Sequence, residues 1–200
     1  MAFNINDFKA RGLAFGGARP SLFQVDLTPP FSITDPVASQ KFTFTCNATT
    51  IPPANIGSVP VPYFGRKIKL AGDREFDDWS VTVMNDEDFL VRNMFENWSN
   101  LMNTLASNLK ITPGNSYKSN DATVTQFAKD GAIIRQYSFI GLFPISVSSM
   151  DLNWDATNTI QSFGVTFAYD YWVPRRSTAA PASDIPTGQP GAGAGLAPSE

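Results

Sequence analysis

The chain has 200 residues, enough for one domain with tails, and carries 15 Lys+Arg against 18 Asp+Glu, a formal net charge of −3 that makes it a poor general binder of polyanions. With no histidine and one cysteine, Cys46, the sequence excludes Ser-His-Asp and Cys-His catalysis, His-ligated metals, zinc knuckles and an intrachain disulfide. Only 16% of residues are charged while Phe alone numbers 16, so much of the surface is expected to be covered by other copies or partners.

Three zones follow one another. Residues 1–17 are a polar and aromatic arm ending in Gly16-Gly17. The arm lacks the basic start and apolar run of a secretory signal, and no stretch reaches the ~18 apolar residues of a spanning helix. Synthesis and folding in a cytoplasm are therefore expected. Residues 18–172 hold all the strong periodic patterns. Residues 173–200 form a tail dense in Pro, Gly and Ala, without any aromatic residue. Such a tail cannot offset its ordering entropy by burial when alone in solution.

Ser21–Thr28 reads as a first strand. Lys41–Thr49 alternates, with Phe42, Phe44, Cys46 and Ala48 opposed to Thr43, Thr45 and Asn47, and predicts a second. Thr50–Pro62 carries prolines at 52, 53, 60 and 62. Proline cannot donate to a ladder, so an extended loop is predicted there. Phe64–Ala71 opposes Arg66, Ile68 and Leu70 to Lys67 and Lys69. Gly72–Asp78 reads as an acidic turn, and Asp78–Met84 as a strand with Trp79, Val81 and Val83 on one face. A helix is predicted over Asp86–Leu105, with Asn85 as N-cap and Asp86, Glu87 and Asp88 at the positive end of its dipole. Its apolar stripe, from Phe89 and Leu90 through Met94, Phe95 and Trp98 to Leu105, is better read as core than as a cofactor box. Ile133–Phe143 and Ile160–Trp172 are long enough for central strands. In the latter, Phe163, Val165, Phe167, Tyr169 and Tyr171 share a face. The fold class is mainly β with one packed amphipathic helix.

Catalysis finds no anchor. Asp73, Glu75, Asp77 and Asp78 are the densest acids, and paired carboxylates can do acid/base work. Their setting in a turn favours a salt-bridged connection, and the spacing lacks a calcium-loop pattern. Gly12 and Gly16-Gly17 lack the context of a phosphate cradle. Lys67 and Lys69 beside Arg66 fit a protected edge strand or a subunit boundary. Cys46 reads as a small buried hydrophobe. No cofactor is expected.

The run FGRKIKLAGDREFDDWSVTVMNDEDFLVRNMFENW, Phe64–Trp98, resembles the T4-like contractile-phage tail tube family. ARPSLFQVDL (Ala18–Leu27), FTFTCNATTIP (Phe42–Pro52), IIRQYSFIGLFPISV (Ile133–Val147) and LNWDATNTIQSFGVTFAYDYW (Leu152–Trp172) continue the resemblance in the same order. It spans residues 18–172; Thr28–Gln40 and the tail after Trp172 depart from it. The resemblance implies a β-sandwich or barrel-like subunit whose hexameric rings stack into a hollow tube inside a contractile sheath. It further implies that DNA passes through the tube without specific binding. The implied partners are further copies of the chain, the sheath, baseplate, tail terminator and tape-measure proteins. The implied place is the virion tail, assembled in the host cytoplasm.

A ring that completes each subunit's sheets removes the open edges that invite uncontrolled pairing. On this view Phe42, Phe44, Trp79, Val81, Val83, Phe163, Val165 and Phe167 point into the subunit core. Lys67, Lys69, Ser80 and Thr82 lie nearer the lumen or a subunit boundary. The loop with Pro52, Pro53, Pro60 and Pro62 is expected to stack rings, and Arg74, Asp77 and Asp78 to form intersubunit salt bridges. The alternatives are an inner tube of a bacteriocin or type VI secretion-like machine, or a carbohydrate hydrolase using the 73–78 carboxylates. A sequence-specific DNA binder conflicts with the charge balance and the lack of a basic helix.

Overall fold

Two four-stranded antiparallel sheets and a separate two-stranded ribbon carry the fold. The computed structural model describes residues 5–13, 16–30, 33, 35–110 and 114–176, so the expected tail from residue 177 onward lies outside the described residues. Near the N-terminus α1 (Ile5–Asp7) runs into a π-helical turn, Phe8–Gly12. The first sheet has the order β1 (Phe23–Leu27), β6 (Ala122–Phe127), β7 (Ile133–Ile140), β10 (Tyr171–Arg176). The second has the order β2 (Cys46–Thr49), β5 (Trp79–Met84), β9 (Ser162–Ala168), β8 (Phe143–Val147). The ribbon pairs β3 (Ala54–Tyr63) with β4 (Arg66–Phe76).

The alternating strands place their apolar sets in one core. Trp79, Val81, Val83, Phe163, Val165 and Phe167 of the second sheet are buried together with Val25, Leu27, Val124 and Phe139 of the first. Trp79 joins the layers. Its ring stacks on Phe139 at 4.3 Å and on Phe167 at 5.3 Å, and its indole N–H donates to Thr49 Oγ1 at 2.9 Å. Aromatic pairs of this geometry add to their area burial. Helix α3 (Leu90–Met102) buries Val91, Met94, Phe95 and Trp98. Phe95 packs edge-on to Phe167 at 5.7 Å, and Trp98 donates to the Tyr117 carbonyl at 2.7 Å.

Four expectations change. Lys41–Thr49 is not one strand, because Pro36–Thr45 is helix α2 and only Cys46–Thr49 is extended. Asp35 caps this helix by accepting from the Val37 and Ala38 amides, and Pro36 fits the first turn. A helix sends residues two apart in different directions. Phe42 is therefore fully buried while Phe44, expected in the core, is 83% exposed. Helix α3 starts at Leu90, later than expected: Phe89 adopts left-handed backbone at φ 53. Asn85 is not its N-cap; its side-chain amide donates to Gln161. Asp86 and Asp88 instead grip Lys41 of α2, which holds both carboxyls below the usual carboxylate value and tethers the two helices.

The two long C-terminal strands each break and change sheet. β7 ends at Ile140 and β8 begins at Phe143; β9 ends at Ala168 and β10 begins at Tyr171. Both crossings meet at one joint. Gly141 has φ +72 and its N–H donates to Asn120 Oδ1 at 2.9 Å. The Asp170 N–H donates to the Ile140 carbonyl at 2.9 Å, and its carboxylate pairs with Lys118 at 2.7 Å. After the break the inward parity switches, so Tyr171 is exposed and Trp172 packs against Tyr137 at 5.5 Å. The closing strand continues past Trp172 to Arg176. The fourth change is the segment predicted as a proline loop and an acidic turn. Both parts lie mainly in the ribbon, where β3 runs from Ala54 and β4 continues through Gly72–Phe76.

Candidate assembly surfaces

The ribbon holds the longest unbroken exposed run of the described chain: every residue from 55 to 71 is exposed. Its turn is Phe64-Gly65, with φ 42 and 80, the doubly left-handed geometry that suits a two-residue hairpin. Proline is tolerated in β3 because both edges of a two-stranded ribbon are open. The register sets Pro60 opposite Lys69 and Pro62 opposite Lys67. These four residues, predicted separately as a stacking loop and a lumen or boundary strand, therefore share one face. The other face is apolar but for Arg66 at the tip, with Val59, Val61, Tyr63, Ile68 and Leu70 each at least 40% exposed. Tyr63 and Phe64 pack edge-to-face at the tip, 4.7 Å apart. Pro52 and Pro53 precede β3; Pro52 is buried at the root and Pro53 is exposed.

The charged cluster lies at that root. Arg74 stands opposite Ile56. None of the ion pairs among the described residues involves Arg74, Asp77 or Asp78. Asp77 accepts from Asn55 Nδ2 at 3.3 Å, and its backbone carbonyl accepts from the Tyr169 hydroxyl at 2.7 Å. Burial, and then the charges of Asp77 and Asp78, push the Tyr169 phenol up to about 12. Asp73, Glu75, Asp77 and Asp78 are all exposed along one projecting strand and its root, and so do not face one another across a cleft. Among the described residues no three of the His, Cys, Asp and Glu side chains are grouped to hold a metal ion, and no helix is long and apolar enough to cross a membrane.

The second sheet presents a different surface. None of its four strands carries a charged residue. Its outward side holds Ser80, Thr82 and Thr166, with the hydroxyls of Ser80 and Thr166 3.5 Å apart. The first sheet, by contrast, carries Asp26, Arg135, Arg175 and Arg176. Cys46 lies buried in β2, and burial pushes its thiol up to about 12.

Sequence reasoning missed one surface, the loop between β8 and β9. Leu152 and Trp154 stand out from it almost wholly exposed, and Ile160 largely so. The neighbouring Asn153, Asp155 and Asn158 mark a loop, and a tryptophan among such residues was the available signal. Strand β6 was also passed over, although Ala122 and Val124 alternate with Thr123 and Thr125; Ala122 and Val124 are buried, and so is Thr125.

Comparison with known proteins places these surfaces in context. The family profile described as phage tail tube protein matches residues 18–175. The tail tube protein of Enterobacteria phage T4 is 41% identical over 158 residues, covering 78% of this chain and 90% of that one. The tail tube protein of Serratia phage KSP90 is 21% identical over 174 residues, covering 86% and 98% respectively. In fold, the chain resembles a subunit of the sheath–tube complex of an extracellular contractile injection system, with TM-score 0.54, 13% identity and coverage of 88% and 100%. It also resembles a subunit of the cap terminating the anti-feeding prophage tube, with TM-score 0.58, 14% identity and coverage of 80% and 92%.

Proposed function

We propose, from the premise that this chain belongs to the phage tail tube protein family, that its copies form hexameric rings stacked into a hollow conduit for DNA. The chain is a structural subunit of the inner tube of a contractile phage tail. The observation that carries the reading is identity at 41% across nearly the whole folded body, joined to sheets that end in open edges. A tube subunit acts through its surfaces and needs no reacting group, so the reading is non-enzymatic.

In this reading the tube runs from capsid to host cell within a contractile sheath and meets baseplate, tail terminator and tape-measure proteins. It is assembled in the host cytoplasm and carried in the virion. The ribbon with Pro60 and Pro62, rooted at Pro52 and Pro53, is the stacking element, and Arg74, Asp77 and Asp78 at its root form salt bridges with the next copy. Lys67 and Lys69 lie at a subunit boundary. The uncharged outer side of the second sheet faces the lumen, where DNA must slide. A wall without cations offers phosphates nothing to hold. The relatives at high identity are phage proteins, which favours a phage tube over a bacteriocin or secretion tube.

Electron microscopy of the purified chain tests the reading. Rods or stacked rings with a central channel are expected. A protein that stays monomeric at high concentration and under crowding would overturn it.

A further inference from the structure

The two edges of the ribbon are chemically unlike, and this carries the tube reading one step further. The loop Phe64-Gly65 has two residues, so the flanking pair Tyr63 and Arg66 exchanges both backbone hydrogen bonds. Antiparallel pairs alternate between bonded and unbonded. Counting out from the loop, Val61–Ile68 and Val59–Leu70 are bonded pairs, while Pro62–Lys67 and Pro60–Lys69 are unbonded ones. In an unbonded pair the backbone groups of both residues point away from the partner strand. On β3 those outward positions are Pro60 and Pro62, which have no N–H to offer. On β4 they are Lys67 and Lys69, which have both N–H and C=O. The ribbon pairs with no third strand, and neither lysine amide bonds elsewhere among the described residues. The other prolines within strands, Pro144 in β8 and Pro174 in β10, also lie on edge strands.

We propose that β4 pairs edge to edge with a strand of a second copy of this chain, through the outward backbone groups of Lys67 and Lys69, while Pro60 and Pro62 close the opposite edge. The inference rests on the tube reading. In a tube of identical subunits, every ribbon has another copy beside it. A bare two-stranded hairpin is marginal in water, and this one exposes an apolar face as well. Strand pairing along β4 supplies the missing backbone partners and brings that face against the neighbour. With one edge closed, each ribbon accepts one strand and stops, which suppresses sheet growth outside the ring.

Residue-resolved amide hydrogen exchange tests this on the wild-type chain, comparing dilute monomer with assembled rods. The Lys67 and Lys69 amides are expected to exchange at least about a hundredfold more slowly in rods. The Ile68 and Leu70 amides, already bonded to β3 in the monomer, are expected to slow by a smaller factor. The variant Lys67→Pro with Lys69→Pro removes the outward N–H groups along with the two ammonium groups, so Lys67→Ala with Lys69→Ala, which removes the charges alone and is expected to keep its rods, is run beside it. The double-proline variant is expected to keep a folded monomer by circular dichroism and to lose rods. Pro60→Val with Pro62→Val reopens the closed edge and is expected to add irregular aggregates beside the rods. Rods in which both lysine amides exchange as fast as in monomer would overturn the proposal. So would normal rods from the double-proline variant. A wild-type chain that never forms rods would instead overturn the tube reading, and this inference with it.

Discussion

Gly141 shows how much can depend on one missing side chain. Its backbone is left-handed, and a Cβ there would stand 2.1 Å from Asp170 Oδ2. Gly141→Ala therefore combines backbone strain with a clash against the carboxylate that pairs with Lys118. A cost of about 3 kcal/mol or more is expected, lowering Tm by roughly 10 °C in calorimetry. A melting point within about 2 °C of wild type would mean that the joint yields easily. Cys46 and Tyr169 act in the alkaline range. Burial raises both to about 12, from ordinary values of 9.0 and 10.0. Above those ordinary values the folded chain holds protons that the unfolded chain has released. Stability thus falls as pH rises, with the contribution intact below about pH 9 and lost toward about pH 12. Urea midpoints should be level between about pH 7 and 8.5 and decline from about pH 9 upward. Cys46→Ala should flatten the lower part of that decline.

Elements here are set by their ends as much as by their periods. Helix α2 exists because Asp35 and Pro36 start it, although Phe42, Thr43, Phe44 and Thr45 alternate like a strand. The ribbon exists because Phe64-Gly65 turns tightly and because neither edge is needed inside a sheet. Its root supplies the next prediction. Arg74 is exposed and has no ion-pair partner among the described residues, so its charge is available to a neighbour. Arg74→Glu should change monomer stability by no more than about 0.5 kcal/mol in denaturant titrations. In sedimentation and microscopy it should impair rod formation, since a reversed charge opposes the register of a charge-paired joint. Rods of wild-type length and yield would remove Arg74 from the interface.

For the whole molecule, the distribution of charge matters more than its sum. A net charge of −3 locates nothing. The structure divides the surface into a basic ribbon with an acidic root, a mixed first sheet and an uncharged second sheet. Ser80→Lys places a cation on the uncharged side, near Thr166, without touching the core. With that side in the lumen, virions carrying the variant should form tails of normal morphology but eject DNA more slowly. The delay should shrink at higher salt, where phosphate contacts weaken. Ejection at the wild-type rate in low salt would place this side away from the DNA.

Short-range chemistry was legible in the chain itself. Trp79, Val81 and Val83 alternate so cleanly that their burial follows from a period of two. The Met94–Phe95–Trp98 stripe follows likewise from a period of 3.6, and the motif run from Phe64 to Trp98 carries the family. Tertiary structure alone decided what depends on distant partners. Nothing local to Ile160–Trp172 says that its first half belongs to one sheet and its last residues to another. That division is made where Asp170 meets Gly141, Asn120 and Lys118. Proline forbids a strand only where its nitrogen faces a partner. Whether Pro60 and Pro62 face β4 or open solvent depends on the register across the ribbon, and no stretch of sequence holds that register by itself.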